Sequence, residues 1–535
     1  MTRRWNGWGD DSVNPPLHGL DLITRLVGSP VRLKDATLGD VLRTVPPSRL
    51  PAHALIKTDP EIRLRHARGQ SFPDWVALRS GEIGVFPDGV AFPESADEVA
   101  ALLRFARDHG VWVIPYGGGT SVVGHINPRR EDAAAAPILT LSLARLNRLQ
   151  GLDRDSQIAT FGAGANGVEV ESQLRAAGYT LGHFPQSWEY STIGGWVAAR
   201  SSGQQSLYYG RIERLFAGGR VETPIGRLDL PVFPASAAGI DLREIVLGSE
   251  GRLGVLTDAA MRVMPLPERE VFTGVFFPDF AAGMAAARSI VQAGVPLSML
   301  RLSNPTETLT NLALAGREQL IALIESVLGR LGISAGKCLL LMAATGQNRL
   351  VRAALAEAGA WCRKHGGVSL GRVGRLFGST WRKGRFRTPY LRNTLWESGY
   401  AVDTLETATT WANVPATMKG IEDAIRPALS DVGERVHVFT HLSHVYPHGA
   451  SIYTTYVFRP SLNHEETLRR WFALKDAASR VIMARGATIS HQHGVGLDHT
   501  PYLKAEKGVL GLQAMGTLFA TFDPEGLMNP GKLLP

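Results

Sequence analysis

The chain has 535 residues, which at about 150 residues per domain indicates roughly three or four domains and excludes a single small module. Hydrophobic residues make up 44% and charged residues 20%, a globular composition that excludes a disordered or fibrous chain. The formal charge of +8 indicates an anionic partner such as nucleic acid, a phospholipid surface or a phosphorylated substrate. The only cysteines are Cys338 and Cys362, which excludes a disulfide framework and favours a reducing cytoplasm.

The sequence shows no signal for secretion or membrane insertion. Its N-terminus lacks the apolar core of a secretory signal, and no stretch approaches about 18 uninterrupted apolar residues. We therefore expect a cytoplasmic protein without a transmembrane helix, and contact with a membrane surface stays open.

In chain order, the pattern begins with a mixed segment, residues 1–80, that is expected to be helical or irregular. Residues 81–266 then alternate between strand and helix. A capping box at Ser95 and Glu98 predicts a helix that ends near Gly110, and an apolar run at 111–114 predicts a buried strand.

A proline-rich linker at 264–268 separates this region from a second α+β domain, residues 267–484. Its periodicity predicts helices at 281–293, 316–331, 350–365 and 463–484, and strands at 272–277, 338–344 and 450–458. A C-terminal segment, residues 485–535, carries a His-Gln-His-Gly stretch and a helix around 503–520.

The most informative motif is a glycine loop that directly follows the strand at 111–114. Consecutive glycines let backbone N–H groups approach an anion without obstruction by a Cβ, and hydroxyls add donors. The alternative is a tight surface turn; a Walker loop is excluded because no Gly-Lys-Ser/Thr follows. The loop residues are Pro115, Gly117, Gly118, Gly119, Thr120, Ser121 and Val122.

A second glycine motif, at 162–167, matches the G-x-G-x-x-G of a Rossmann dinucleotide fold. That fold also needs a ribose-binding acid about 20 residues further on, where this chain has the stretch 182–186 and only Glu189 as a loose candidate. We therefore favour a different cofactor fold, in which an extended cofactor lies along several loops of small residues. The further loop residues are Ser191, Thr192 and Gly195, and then Glu250, Gly251, Gly254 and Val255.

These loops resemble the FAD-binding domain of the vanillyl-alcohol oxidase (p-cresol methylhydroxylase) superfamily and, within it, the alkyldihydroxyacetonephosphate (alkylglycerone-phosphate) synthase family. The resemblance covers essentially the whole chain. It rests on the stretches 4–9, 65–75, 115–122, 182–185, 191–203, 248–255, 300–302, 389–392, 451–453 and 490–494. It implies an α+β fold in which a two-subdomain FAD-binding domain at 81–266 lies under an α+β cap at 267–484, with residues 485–535 completing the active site and packing back on the FAD domain.

The resemblance also implies a reaction. Members of the family exchange the acyl chain of acyl-dihydroxyacetone phosphate for a fatty alcohol in ether lipid synthesis, with FAD and without net redox change. Tyr453 would be the base, Arg301 would lie near flavin and substrate, and Arg392 would hold the anionic head group. His491 and His493 would line the reacting centre, His183 and Thr192 would lie at the flavin edge, and Gln186 would lie on the flavin side.

Several alternatives stay open. From pattern alone, a strand core residue is the favoured interpretation of Tyr453. His491 and His493 would share one face of a strand and so offer half of a metal site, but no cysteine or acidic ligand stands nearby at metal spacing, and we expect no metal. Noncovalent FAD is favoured, with His125 a conceivable covalent anchor. The main functional alternative is an FAD-dependent oxidoreductase acting on a 2-hydroxy acid or an alcohol. A third is a non-catalytic anion- or membrane-binding protein on a decayed flavin fold.

Two residues depart from the family pattern. Gln492 interrupts a run of three histidines, and Gln186 replaces an acid. Both put the exact substrate and the reaction in question, although neither removes the flavin site. In a strand, Gln492 would point away from its neighbours, with only an indirect effect.

The positive charge is concentrated in one stretch. Residues 363–392 contain nine basic residues and no acidic residue, so the remainder has 48 basic against 49 acidic residues. A phosphate head group or a membrane surface accounts for this charge, and we expect no nucleic acid partner. We also expect a homodimer.

Overall fold

The computed structural model describes residues 3–16, 18–128, 136–314 and 318–534. Within the described part of the first 80 residues, most of the chain is irregular. The elements there are α1 (Leu20–Val27), α2 (Leu38–Leu42), β1 (Ile56–Lys57), α3 (Pro60–Arg65) and α4 (Phe72–Ser80). Helix α4 buries Phe72 and Trp75, and the Phe72 ring stacks on Trp471, so this segment is anchored against the second half of the chain.

Residues 81–266 form a four-stranded sheet, which residues 56–57 complete, and a five-stranded sheet that share one hydrophobic core, together with a separate two-stranded sheet at 179–180 and 264–265. The elements are β2 (Gly89–Ala91), α5 (Ala96–Asp108), β3 (Trp112–Tyr116), β4 (Ile138–Ser142), β5 (Leu149–Asp153), β6 (Ile158–Gly162), α6 (Gly167–Ala176), β7 (Tyr179–Thr180), α7 (Ile193–Ala198), α8 (Ser206–Tyr209), α9 (Ile212–Leu215), β8 (Phe216–Thr223), β9 (Gly226–Leu230), α10 (Arg243–Val246), β10 (Val255–Arg262) and β11 (Met264–Pro265). The first sheet has the order β1-β2-β4-β3 and the second β5-β6-β10-β8-β9. The Ser95 hydroxyl accepts a hydrogen bond from the N–H of Glu98 at the start of α5, but the Glu98 carboxylate accepts from the N–H of Glu94 and not of Ser95, so only half of the predicted capping box is formed.

The sheet order also explains why the 162–167 motif is not a Rossmann loop. It follows β6, which pairs antiparallel with both β5 and β10. A dinucleotide loop joins a strand of a parallel sheet to a helix, and β6 has no parallel neighbour among the described strands.

Residues 267–484 form a six-stranded antiparallel sheet with the order β12-β14-β13-β16-β17-β15. The elements are β12 (Arg269–Phe277), α11 (Phe280–Gln292), β13 (Met299–Ser303), α12 (Pro305–Leu314), α13 (Glu318–Arg330), β14 (Cys338–Gly346), α14 (Asn348–Lys364), α15 (Arg372–Gly384), α16 (Leu391–Glu397), β15 (Ala401–Thr410), α17 (Val414–Ile425), β16 (His437–Tyr446), β17 (Gly449–Phe458) and α18 (His464–Ala484). Helices α11, α14, α17 and α18 cover one face, and the other face lines a cavity. The predicted helices at 281–293, 350–365 and 463–484 are present, with ends that lie within two residues of the predicted ones. Of the helix predicted at 316–331, residues 316 and 317 lie outside the described ranges.

The C-terminal segment contains α19 (Leu503–Phe522) and then returns to the domain formed by residues 81–266. The N–H of Val113 in β3 donates to the carbonyl of Leu527, and Met528 and Phe519 are buried in the core of that domain. None of the helices in the described ranges combines the length and the apolar composition needed to cross a membrane.

Candidate active site

A cavity of about 700 Å³ lies between the glycine loops of the first domain and the open face of the cap sheet. Every residue that the sequence predicted to bind the cofactor contributes to its wall. These residues are Pro115, Gly117, Gly118, Gly119, Thr120, Ser121, Val122, Gln186, Ser191, Thr192, Gly195, Glu250, Gly251, Gly254 and Val255. The patterns that predicted them are local runs of small and hydroxyl-bearing residues, and the fold brings the runs to one side of the cavity.

The glycine loop is pressed against the neighbouring loop at 190–192. A Cβ on Gly118 would lie 1.7 Å from the carbonyl oxygen of Tyr190, and a Cβ on Gly117 would lie 2.3 Å from Oγ1 of Thr192. Thr192 in turn is the N-cap of α7 and accepts a hydrogen bond from the N–H of Gly195. The glycines are therefore required for the close approach of two loop backbones.

The same loop has the donors that a diphosphate needs. None of the N–H groups of residues 117–122 donates a hydrogen bond to any residue that the structure describes. Consecutive backbone N–H groups without acceptors, beside a cavity and free of Cβ atoms, form an anion-binding concavity, and buried N–H groups need a partner. The loop therefore fits the diphosphate of FAD.

Glu250 joins this half of the site to the C-terminal segment. Its backbone has φ of 51°, and its carboxylate accepts hydrogen bonds from the N–H groups of Val495 and Gly496 at 2.6 and 2.9 Å. Nε2 of His125 lies 3.1 Å from the same carboxylate. The segment after residue 490 is thus held over the glycine loop, and the His125 ring lies beside an acid of the chain itself.

On the cap side, strand register places Tyr453 at the centre of the site. Tyr453 of β17 is directly opposite Glu406 of β15 and His441 of β16, and Ser303 of β13 is opposite His441. Directly opposite residues of antiparallel strands point to the same face of the sheet. These four side chains therefore form a row across the sheet face that lines the cavity.

Tyr453 lines the cavity, and its hydroxyl donates a hydrogen bond to Oγ1 of Thr404 at 3.1 Å. Burial raises the pKa of this phenol to about 12. The ring of His441 stacks on it, with centroids 5.0 Å apart and planes inclined by 23°. The phenol of Tyr453 is therefore protonated at neutral pH.

Arg301 also lines the cavity and is held by a buried acid. Its Nη2 donates to Oε1 of Glu307 at 2.5 Å, and Nδ1 of His441 lies 3.1 Å from the same oxygen. Burial alone would raise the pKa of Glu307, but His441 and Arg301 outweigh it and lower the pKa to about 2. Glu307 is therefore a carboxylate, and it fixes the two side chains next to Tyr453.

The loop at 490–493 corrects the strand that the sequence predicted for His491 and His493. The carboxylate of Glu406 accepts hydrogen bonds from the N–H groups of His491, Gln492 and His493 at 2.6, 3.0 and 2.9 Å. N–H groups alternate in direction along a strand, so three that point at one carboxylate require a curled loop. Burial would raise the pKa of Glu406, but the two histidines and these N–H groups lower it to about 2.

This curl separates the two histidines. His493 lines the cavity, and its ring meets Tyr453 edge-on at 5.7 Å. His491 points away from the cavity, where its Nε2 lies 2.6 Å from both Nη1 of Arg211 and Oη of Tyr446. Gln492, which a strand would have turned away, lines the cavity instead. Within the described ranges, no group of His, Cys, Asp and Glu side chains has the arrangement of a metal site.

Arg392 lies at the cavity wall on top of the Trp75 ring, with Cζ 4.5 Å from the ring centroid. Its Nη1 donates to the carbonyl of Gln70, whereas its buried Nη2 has no partner among the described residues. Burial lowers the pKa of this guanidinium, and an arginine side chain stays protonated in proteins. A fixed cation with a free donor is suited to an anionic head group.

His183 is fully buried behind the wall rather than in it. Its Nε2 lies 3.1 Å from Oγ of Ser201, its ring packs on Trp196, and both of these neighbours line the cavity. Burial, followed by the charge of Arg211, lowers the pKa of His183 to about 3. A neutral His183 therefore supports the flavin side of the wall from behind.

Sequence reasoning missed His441, Glu307 and Glu406. Each lies in a strand or helix that the periodicity did not assign, namely β16, α12 and β15. The available signal was a charged or titratable residue inside an apolar segment, such as Glu406 between Leu405 and a run of threonines and alanines. Such a residue is buried only with partners, and here the partners come from distant parts of the chain.

Comparison with known proteins agrees with this geometry. Residues 87–229 match the FAD binding domain family, and residues 266–533 match the family described as FAD linked oxidases, C-terminal domain. An alkyldihydroxyacetonephosphate synthase from Dictyostelium discoideum is 32% identical over 90% of this chain and 78% of its own length. A solved alkyldihydroxyacetonephosphate synthase structure, 27% identical, superposes with a TM-score of 0.84 over 99% of both chains.

A more distant solved structure, p-cresol methylhydroxylase with substrate bound, is 15% identical and has a TM-score of 0.68 over 94% of this chain and 98% of its own. It confirms the p-cresol methylhydroxylase type of fold that the sequence predicted. FAD is confirmed as the cofactor by the matched families and these relatives. The glycine loop, whose N–H groups have no acceptor among the described residues, agrees with it. The chain is an FAD-dependent enzyme and belongs to the alkyldihydroxyacetonephosphate synthase family.

Proposed function

We propose that the enzyme exchanges the acyl chain of acyl-dihydroxyacetone phosphate for a fatty alcohol and so forms the ether bond of an ether lipid. The observation that carries the proposal is the composition of the cavity. It combines the FAD cradle, two arginines, Arg301 and Arg392, and an extended apolar wall. The apolar wall includes Ile23, Leu314, Leu395, Val402, Phe439 and Val457. A phosphorylated head group attached to a long chain matches this combination.

The reaction balances without an oxidant. The acyl ester and the alcohol give the alkyl ether and a free fatty acid, so one C–O bond breaks and another forms at the same carbon. Bound FAD would supply an electron-accepting ring system for this exchange. The residues of the chain bind the phosphate at Arg392, exclude water with the apolar wall, and take and return a proton at the reacting carbon.

The test uses the purified holoenzyme with palmitoyl-dihydroxyacetone phosphate and hexadecanol. We expect the hexadecyl ether product and an equal amount of palmitate, both measured by mass spectrometry. A parallel reaction offers 2-hydroxy acids and alcohols with an artificial electron acceptor. Reduction of that acceptor without ether formation would support the FAD-dependent oxidoreductase and overturn the proposal.

We also propose that the enzyme acts at the cytoplasmic surface of a membrane, from which it takes its fatty alcohol. Helix α15 supports this proposal. It exposes Arg372, Arg375, Arg382 and Lys383 to solvent, while Phe377 and Trp381 on its other side line the cavity. Gly374 and Gly378 allow it to lie directly on β12, because a Cβ on Gly378 would lie 2.3 Å from the backbone of Phe272.

Liposome co-sedimentation tests the membrane contact. We expect binding to vesicles with anionic lipid at low salt, and weaker binding at 0.5 M salt because exposed charges are screened. Arg372→Glu with Arg375→Glu should abolish that binding, whereas Arg104→Glu with Arg107→Glu, on α5, should not. Equal binding of both double variants would contradict the role of α15. The homodimer stays a prediction, which light scattering during gel filtration can test.

A further inference from the structure

Arg385 is a third arginine in the wall of the cavity, besides Arg301 and Arg392. It is the C-cap of α15, and only 8% of it is exposed. Its Nη1 donates a hydrogen bond to Oε1 of Gln205 at 2.9 Å. Its Nε is buried and has no acceptor among the described residues. The guanidinium therefore keeps hydrogen-bond donors for a ligand in the cavity.

No carboxylate forms an ion pair with Arg385 among the residues that the structure describes. The acid with the strongest electrostatic effect on it is Glu270, but both oxygens of that carboxylate are occupied: Oε1 accepts from Nε2 of Gln205, and Oε2 accepts from Nη1 of Arg382. The Gln205 amide offers Arg385 only a neutral oxygen. Burial lowers the pKa of Arg385 to about 10, so the side chain is a cation at neutral pH. A buried cation without a counter-ion is costly, and an anion in the cavity would remove this cost.

Aromatic rings surround the charge of Arg385. Its Cζ lies over three phenylalanine rings, at 4.8 to 5.7 Å from their centroids; the rings are those of Phe184, Phe272 and Phe386. The faces of aromatic rings attract a cation, but they do not replace an anion as the acceptor of its N–H groups. In such an apolar setting an ion pair is stronger than in water, because the local dielectric constant is low. The surroundings of Arg385 therefore suit an anion that is attached to an apolar chain.

An apolar stretch of the cavity wall begins at Arg385. Phe377, Trp381 and Arg385 are four residues apart on α15 and its C-cap, so their side chains follow one another along one face of the helix. Phe377 and Trp381 line the cavity, and the ring centroid of Trp381 lies 5.8 Å from that of Phe272. The cap sheet continues this wall with side chains of the same hydrophobic cluster, namely Met299, Leu339 and Leu341. The wall thus has a cation at one end and an apolar surface beyond it.

The exchange reaction creates one anion for which the rest of the site does not provide. The glycine loop suits the diphosphate of FAD, and Arg392 suits the phosphate head group. The acyl ester is neutral, whereas the released fatty acid is ionised at neutral pH, because the pKa of a carboxyl group is about 4. A fatty acid combines a carboxylate with an apolar chain, and Arg385 with the neighbouring face of α15 matches both parts.

We propose that Arg385 and the wall formed by Phe377 and Trp381 bind the fatty acid that the exchange reaction releases. The proposal rests on the proposed function. The C–O bond between the reacting carbon and the acyl oxygen breaks, and its electron pair stays on that oxygen, which becomes part of the carboxylate. The oxygen of the fatty alcohol forms the new C–O bond, and the alcohol proton goes to solvent. Arg385 then pairs with the carboxylate, and the chain leaves along α15, the helix proposed to contact the membrane.

Binding of a fatty acid without turnover tests this site. Dodecanoate is titrated into the FAD-loaded enzyme in a calorimeter. Parallel titrations use dodecanol, which has the same chain without the charge, and dihydroxyacetone phosphate. Arg385→Gln is the test variant, and Arg385→Lys keeps the charge. Arg363→Gln, at an exposed position of α14 outside the cavity wall, is the matched control.

We expect Arg385→Gln to weaken dodecanoate binding about tenfold or more, as loss of a charged hydrogen bond predicts. Arg385→Lys should retain part of the affinity, and Arg363→Gln should equal the wild type. Dodecanol and dihydroxyacetone phosphate should bind to Arg385→Gln as tightly as to the wild type. Because the buried cation has no counter-ion, its removal should not lower the free energy of unfolding in urea, which separates loss of the site from loss of the fold.

Product inhibition of ether formation is a second readout. Added palmitate should inhibit the wild type at concentrations about tenfold or more below those needed for Arg385→Gln. Equal dodecanoate affinities of these two enzymes would overturn the inference, as would a loss of affinity for dihydroxyacetone phosphate instead, which would assign Arg385 to the head group. Either result together with normal ether formation leaves the proposed function intact. A wild type that binds dodecanoate through Arg385 but forms no ether would overturn the proposed function and not the fatty acid site.

Discussion

Glu406→Gln tests whether one buried carboxylate holds the C-terminal loop in the site. In the wild type, Oε1 accepts hydrogen bonds from Ser490 Oγ and from the N–H groups of Gln492 and His493, and Oε2 accepts one from the N–H of His491. An amide can retain the first three as neutral bonds, but its NH₂ group then faces the N–H of His491. A hydrogen bond to a charged group contributes about 1.5–3 kcal/mol, and an unsatisfied buried donor costs about 1–3 kcal/mol.

We therefore expect Glu406→Gln to lower the free energy of unfolding by about 2–4 kcal/mol, measured by urea denaturation of the FAD-loaded enzyme. The matched control is Glu171→Gln, because Glu171 is also buried and accepts from two backbone N–H groups, those of Leu181 and Gly182, outside the cavity wall. Both variants should lose stability, but only Glu406→Gln should lose ether formation. A change below about 0.5 kcal/mol for Glu406→Gln would refute the reasoning.

The same carboxylate predicts a pH dependence. The pKa of Glu406 is lowered to about 2 in the folded protein, below its ordinary value of 4.5. Its contribution to stability is therefore complete above pH 4.5 and is lost as the pH falls through about 2. The stability difference between wild type and Glu406→Gln should narrow over that interval; a constant difference would contradict the assignment.

Two further predictions concern the walls of the cavity. Gly118→Ala should lose most of its bound FAD, measured as flavin absorbance per protein, because its Cβ would lie 1.7 Å from the carbonyl of Tyr190; Gly151→Ala, where a Cβ meets nothing within 4 Å, should keep it. Arg392→Gln should weaken binding of dihydroxyacetone phosphate at least about tenfold in calorimetry, as loss of a charged hydrogen bond predicts. Arg435→Gln, on the loop before β16, is its control, and equal affinities would remove Arg392 from the head-group site.

The cofactor half of the site was predictable because its signals are local. Glycines, hydroxyls and a strand end stand next to one another in the sequence at 115–122, and the need for backbone approach leaves glycine as the residue that fits. The same is true of Gly251 and Gly254, whose φ values of 78° and 152° disfavour other residues. The conformation of such a motif is determined by its own residues and depends little on the rest of the fold.

The substrate half was not predictable from such signals, because it depends on register. His441, Tyr453 and Glu406 meet because three antiparallel strands align at these positions, and a shift of one residue would turn any of them to the helix-covered face. The strands β13, β15 and β16 carry polar residues such as threonine, serine and histidine on the face that lines the cavity. The sequence pattern of these segments therefore did not indicate buried strands.

The strand predicted for His491 and His493 was wrong for a physical reason. That reason also changes the effect expected of Gln492, which stands where the family has a histidine. The spacing of residues within this loop cannot show that three of its consecutive N–H groups donate hydrogen bonds to Glu406, which is far away in the sequence. The resulting curl turns His491 toward Arg211 and places Gln492 in the cavity wall, where its buried Oε1 has no partner among the described residues. Because an unpaired buried amide oxygen favours a donor, the replacement of histidine by glutamine acts on whatever occupies the cavity, directly and not through the loop.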